Sequence, residues 1–282
     1  MKDYLSGCSS SGAIGGSSKA QAEQHFVERF LNSAARAQYV CADPENSQPD
    51  IRDMILDQLA DGRIFVLDLA AGSGAGTIAI LGLLCDLRAN NCIPQFPLNV
   101  HIFGIDYSPD ALLLYQQTLN ELNAWLEGTG IHVELDSWPC DLRNAGDLSE
   151  ILESFFDDAK KRGVNRFLSV LSAVSGLGQA GVEEIHKSLE TAAIRLSHKD
   201  RESSWLWLEP STTNNWLLAF MNAIRFALQK LPYTFGKKKE SFEVSSSHPL
   251  LPKPIVREFN WQDPHQPKIV KSRVMVVGFR NE

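Results

Sequence analysis

From Lys19 onward, stretches of helical periodicity alternate with short continuous apolar runs. Phe26, Val27, Phe30, Leu31 and Ala34 return at three- and four-residue intervals as far as about Tyr39, and Asp43-Pro44 and Gln48-Pro49 then interrupt the pattern. Ile51, Ile55 and Leu59 share one face of a second helix, which Asp50 is expected to cap and Gly62 to end. Residues 64–69 (Ile-Phe-Val-Leu-Asp-Leu) form an unbroken apolar run around one aspartate, as expected of a strand buried on both faces of a parallel sheet. A glycine-rich turn follows at once, then an apolar helix over 77–87 and a polar loop over 90–97.

The same unit repeats down the chain. A strand over 100–105 ends on Asp106, and Ser108-Pro109 opens the next helix, since serine caps and proline suits the first turn. Further strands are expected at 131–135, 166–171 and 205–208, with helices at 147–161, 182–196 and 216–229 and a turn at Gly176-Leu177-Gly178. Residues 255–261 and 268–279, separated by Asp263-Pro264-His265-Gln266-Pro267, read as a terminal antiparallel pair. The pattern predicts an α/β protein: a doubly wound, mostly parallel seven-stranded sheet with a C-terminal antiparallel hairpin and N-terminal helices. The expected division is a flexible Ser/Gly-rich segment over 1–18, helices over 19–62 and the sheet domain over 63–282.

Composition narrows the setting. With 44% hydrophobic and 22% charged residues the chain is that of an ordinary globular protein. No apolar run reaches the roughly 18 residues of a membrane span, and the first residues lack the basic head and apolar body of a signal peptide, so a cytoplasmic location is expected. Five cysteines (Cys8, Cys41, Cys85, Cys92 and Cys140), without a Cys-x-x-Cys, suggest neither a disulfide framework nor a zinc knuckle, and no paired histidine spacing suggests a metal site. The net charge of −7 divides unevenly: residues 201–282 carry 12 Lys and Arg against 7 Asp and Glu, leaving 15 against 27 in the first 200. Any attraction for polyanions therefore belongs to the C-terminal part, where Lys237, Lys238 and Lys239 could grip an anion or simply be solvated.

Three motifs compete for the glycine turn Asp68-Leu69-Ala70-Ala71-Gly72-Ser73-Gly74. The dinucleotide fingerprint needs a glycine at 77, where Thr77 stands, which weakens a nicotinamide oxidoreductase. The phosphate loop fails because the one Gly-Lys pair, Gly236-Lys237, has Leu231 five positions before it and Lys238 after it. The turn instead resembles motif I of the class I, Rossmann-like S-adenosylmethionine-dependent methyltransferases, an acidic residue followed by an apolar one and G-x-G-x-G, with Ala70 in place of the first glycine.

The resemblance implies a cofactor and a set of residues to hold it. S-adenosylmethionine is expected over Asp68, Ala70, Gly72 and Gly74; Asp106, at the end of the second strand, is expected to accept hydrogen bonds from the ribose hydroxyls, with Tyr107 beside it. Cys140-Asp141-Leu142-Arg143 resembles the segment that meets the adenine, Asp141 through its carboxylate and Leu142 through its backbone amide, and Ser172 closes the set after the fourth strand. Each aspartate has a plainer alternative, as a cap or a solvated loop residue. The implied activity is methyl transfer to an unidentified acceptor, a small molecule, protein or RNA; the alternative is a catalytically silent relative serving as a binding or interaction module.

No catalytic motif follows the fourth strand, where Ser172-Ala173-Val174-Ser175-Gly176 stands, and the absence of an Asn/Asp-Pro-Pro-Tyr signature makes DNA an unlikely acceptor. No cysteine falls after strand four or five to serve a carbon methyltransferase. Tyr233 and Lys237 fit a Tyr-x-x-x-Lys spacing, but Pro232 and Gly236 oppose the helix that chemistry needs. Glu209, ending the fifth strand, could orient or deprotonate a substrate or could cap a turn. Trp205, Trp207 and Trp216 could line a pocket or fill the core.

Overall fold

The computed structural model describes residues 18–198, 200–210, 220–221 and 254–281. The expected Ser/Gly segment (except Ser18), most of the helix over 216–229 with Trp216, and Tyr233 to Lys239 lie outside them.

Helices α1 (Lys19–Ala42) and α2 (Pro49–Gln58) lead into the first unit, β1 (Gly62–Leu69), α3 (Ala75–Ala89) and β2 (Leu98–Asp106). There follow α4 (Pro109–Gly128), β3 (Ile131–Pro139), α5 (Ala145–Lys161) and β4 (Arg166–Ser172). A 3-10 turn (Val174–Leu177), α6 (Gly178–Glu184), α7 (His186–Leu196), β5 (Glu202–Pro210), β6 (Ile255–Gln262) and β7 (Ile269–Asn281) complete the order. One sheet carries the strands as β3-β2-β1-β4-β5-β7-β6. The first five are parallel, and β7 runs antiparallel to both β5 and β6. This is the doubly wound sheet that the hydrophobic pattern predicts. The order reverses between β1 and β4, so their carboxyl ends open the crevice where such sheets bind ligands.

Each strand sends alternate side chains to opposite layers. Ile64, Val66, Ile102, Val170, Leu206 and Val276 pack beneath α1 to α4. Phe65, Leu67, Phe103, Phe167, Trp205 and Trp207 pack against α5 and α7, so the two tryptophans belong to the core. Helix α3 is apolar around most of its circumference because it lies between the sheet and α1; residues 75–82 are all buried.

The differences from the sequence reading lie at element ends. Asp50 falls inside the first turn of α2 rather than capping it; the carboxylate of Asp43 accepts from the Ser47 and Gln48 amides instead. Strand β3 extends four residues past the expected end at 135, because pairing with β2 continues as far as Asp106 opposite Pro139. The helix expected over 182–196 is two, since Ile185 both ends α6 and precedes α7. Ser108 caps α4 as expected, its Oγ accepting from the Ala111 amide at 3.2 Å.

Arg88 anchors the opposite end of the sheet. It is fully buried, and its guanidinium donates to the carbonyls of Phe96, Thr129 and Ala60 at 2.8 to 3.0 Å, tying together the chain segments that enter β1 and β2 and leave α4.

Candidate functional site

At the carboxyl end of β1 the backbone enters the left-handed region at every second residue: Ala70 at φ 51°, Gly72 at φ 54° and Gly74 at φ 75°. These are the three glycine positions of the motif, so G-x-G-x-G here is a pattern of backbone conformation before it is a pattern of space. Ala70 adopts that conformation despite its Cβ, and the departure from glycine is therefore met as backbone strain, of order 1–2 kcal/mol. The loop is held by the Ala71 amide on the Ile105 carbonyl at 2.9 Å and the Gly74 amide on the Ala71 carbonyl at 2.8 Å.

The two glycines face different surroundings. A Cβ on Gly72 would meet nothing within 4 Å, so the space above it is open. A Cβ on Gly74 would stand 2.1 Å from Cε2 of Tyr115, whose fully buried ring fills the space below. Tyr115 then donates its hydroxyl to Asp68 Oδ2 at 2.9 Å, and Thr77 donates to the same oxygen at 2.6 Å. Asp68 is 2% exposed, and burial pushes its carboxyl up to about 7 against the pull of those two donors. Asp68 thus faces down into the loop's support. Thr77, the residue that breaks the dinucleotide fingerprint, and Tyr115, an aromatic within the apolar pattern of α4, are buried partners of Asp68 that the sequence pattern does not reveal.

Asp106 is bonded directly to the loop. Its Oδ2 accepts from the Gly72 amide and its Oδ1 from the Ser108 amide, both at 2.8 Å, while burial raises its pKa. A carboxylate oxygen carries two lone pairs, so each can also accept a ligand hydroxyl. Tyr107 follows with 49% of its surface exposed at the rim. The Asp106 carbonyl accepts from the Cys140 amide at 2.9 Å, joining the segment after β3 to the same end of the sheet.

Asp141 is half-buried and holds Arg143 in a fork, with Nε at 2.9 Å from both carboxylate oxygens and Nη2 at 2.6 Å from Oδ2. This pairing pulls its carboxyl below the usual range. Leu142 is buried, and its carbonyl accepts from the Ser188 hydroxyl. Ser172 ends β4 beside the start of α3, where a Cβ on Gly76 would lie 3.4 Å from its own Cβ.

Glu209 is fully buried at the end of β5, and burial raises its carboxyl. Its oxygens accept from the Val174 and Ser175 amides, each at 3.0 Å, and from Trp207 Nε1 at 2.7 Å. Of the two roles open to it in the sequence, the geometry is that of the cap: it pins the turn after β4. Ala173, the residue before that turn, also has a left-handed backbone at φ 62°. Strained alanines thus stand at the carboxyl ends of β1 and β4, the two strands that flank the crevice.

Among the described residues no group of three or more His, Cys, Asp or Glu side chains is arranged to hold a metal ion, and no helix is long and apolar enough to cross a membrane. Cys41, Cys85, Cys92 and Cys140 are free thiols.

No protein-family model and no curated protein sequence matches the chain. Among solved structures it is similar to precorrin-6y C5,15-methyltransferase from Geobacter metallireducens GS-15, at 10% identity over 82% of this chain and 89% of that one, with a TM-score of 0.34. It is also similar to the DszA carbon methyltransferase, at 13% identity over 92% of this chain and 64% of that one, with a TM-score of 0.34. A third is a putative S-adenosyl-L-methionine-dependent methyltransferase from Methanococcus maripaludis, at 12% identity over 77% and 72%, with a TM-score of 0.30.

Proposed function

We propose that the chain is an S-adenosylmethionine-dependent methyltransferase whose donor lies across the carboxyl ends of β1, β2 and β3. The observation that carries this reading is the bond between Asp106 and the Gly72 amide, made at the rim of a loop whose outer face is open. A carboxylate so fixed meets a ribose diol with little reorganisation. Tyr107 supplies an exposed aromatic surface for the adenine, and Asp141 and the Leu142 amide face its polar edge.

The donor, when bound, supplies an already activated methyl group, so the protein's tasks are alignment and exclusion of water. Gly72 permits close approach of the backbone, and Tyr115, Thr77 and Asp68 keep the loop in one conformation. Glu209 is a positioning residue: with three donors on its carboxylate it holds the turn after β4 and has no call on a substrate proton. The acceptor is expected over β4 and β5, on the other side of the switch point.

Isothermal titration with S-adenosylhomocysteine tests the reading. Binding in the micromolar range is expected, weakened about 30-fold or more by Asp106→Ala, which removes charge-assisted hydrogen bonds to the ribose. Absence of binding at millimolar ligand ends it.

A further inference from the structure

Helix α1 carries His25, Arg29 and Arg36 at intervals of four and seven residues, which align them on one face. Arg36 is half-buried, and its Nε donates to the carbonyl of Arg273 in β7 at 3.1 Å. Val274, the next residue, stands opposite Pro210 at the end of β5, so the guanidinium lies on the rim where β5 and β7 meet. Arg36 also feels the charge of Glu209, which pins the turn after β4. Neither Arg36 nor Arg29 forms an ion pair among the described residues, and the two Nη groups of Arg36 have no hydrogen-bond partner there. Burial pulls the Arg36 pKa down, an effect Glu209 opposes and Arg29 reinforces.

A guanidinium fixed through Nε whose two Nη groups meet no partner among the described residues is half of a bidentate oxyanion site. Its place in the sheet separates it from the donor. From β1 to β7 there are three strand spacings, about 14 Å at 4.8 Å each, so Arg36 sits over the acceptor side of the switch point. Its recessed setting suits one anionic group of a small molecule; a polyanion needs many cations on an open surface.

We infer that the acceptor is a small molecule bearing a carboxylate or phosphate, and that Arg36 binds this group through its Nη donors with Arg29 adding to the local positive potential. This rests on the methyltransferase reading for the word acceptor, and on the Arg36 geometry for the anion.

The test is isothermal titration of the full chain with inorganic phosphate and with succinate at fixed ionic strength, with and without saturating S-adenosylhomocysteine. One probe or both are expected to bind at millimolar concentration, phosphate alone identifying a phosphate ester and succinate alone a carboxylate. Arg36→Ala is expected to weaken binding about tenfold or more, Arg36→Lys about threefold through loss of the fork, and Arg29→Ala two- to threefold. Affinity for S-adenosylhomocysteine should stay within twofold in all three variants. The inference is overturned if neither anion binds, or if Arg36→Ala leaves anion affinity unchanged, which makes the arginine a structural support for Glu209. It is equally overturned if Arg36→Ala weakens S-adenosylhomocysteine by the factor it weakens the anions, because the arginine then holds the donor's own carboxylate. Loss of the methyltransferase reading appears separately, as anion binding by a protein that takes up no S-adenosylhomocysteine.

Discussion

The ring of Tyr115 occupies the position that a side chain on Gly74 would need, with Cε2 only 2.1 Å from where that Cβ would stand. The second glycine of the loop is thus required by the protein's own interior, whereas Gly72, with nothing within 4 Å, is required by its backbone conformation and has an open outer face.

Gly74→Ala is expected to cost about 3 kcal/mol, roughly 1–2 from the left-handed backbone and the rest from displacing a buried ring. Urea unfolding measures it. Gly74→Ala combined with Tyr115→Ala should cost less than the sum of the two single changes, because the clash is then absent.

Ala70→Gly should stabilise the protein. It relieves a left-handed alanine at φ 51° but gives the unfolded chain more freedom, for a net gain of about 0.5–1 kcal/mol. The same exchange at Ala173, φ 62°, should act in the same direction. A lower melting temperature for both variants would contradict the strain assigned to these positions.

Asp68 makes stability depend on pH with a definite sign. Its carboxyl titrates at about 7 in the folded protein against 3.8 in the reference state, so the folded state favours the protonated form. The stabilisation is complete below the unfolded value and is lost as the pH rises through about 7. Asp106 is raised in the same direction. Melting temperatures of the native protein should therefore fall between about pH 4 and 7, and Asp68→Asn should flatten part of that slope, Asp106 and Glu209 contributing in the same direction. A slope unchanged by the substitution would show that Asp68 is already ionised throughout this range.

Arg88→Ala leaves the carbonyls of Phe96, Thr129 and Ala60 without their shared donor inside a closed end of the sheet. A loss of about 3–5 kcal/mol is expected in urea unfolding. Arg88→Lys, a point donor in place of a fork, should recover less than half of it.

Much of the fold was legible because burial on both faces of a parallel strand forces continuous apolar runs, which stand out against helical periodicity. Residues 64–69 and 166–171 were recognisable for that reason. The end of β3 was not, because the apolar alternation of residues 131–135 stops at Ser137, and the last four residues are kept extended by pairing with β2, a partner distant in sequence. The break at Ile185 is equally silent, since α6 and α7 share one apolar periodicity.

At the site, the sequence by itself determined which residues lie at the strand ends: the glycine turn, Asp106 and Asp141 follow from spacing along the chain. Only the tertiary structure decided what each of them does. Asp68 faces Thr77 and Tyr115, Asp106 bonds to Gly72, and Glu209 is given over to the turn after β4. Arg36, one base among many in the composition, is fixed by the Arg273 carbonyl at the rim of β5 and β7. Local sequence sets where a chain turns, through the few conformations each residue allows. The partner of a buried polar group is set by which distant elements pack around it, and that is a property of the assembled layers.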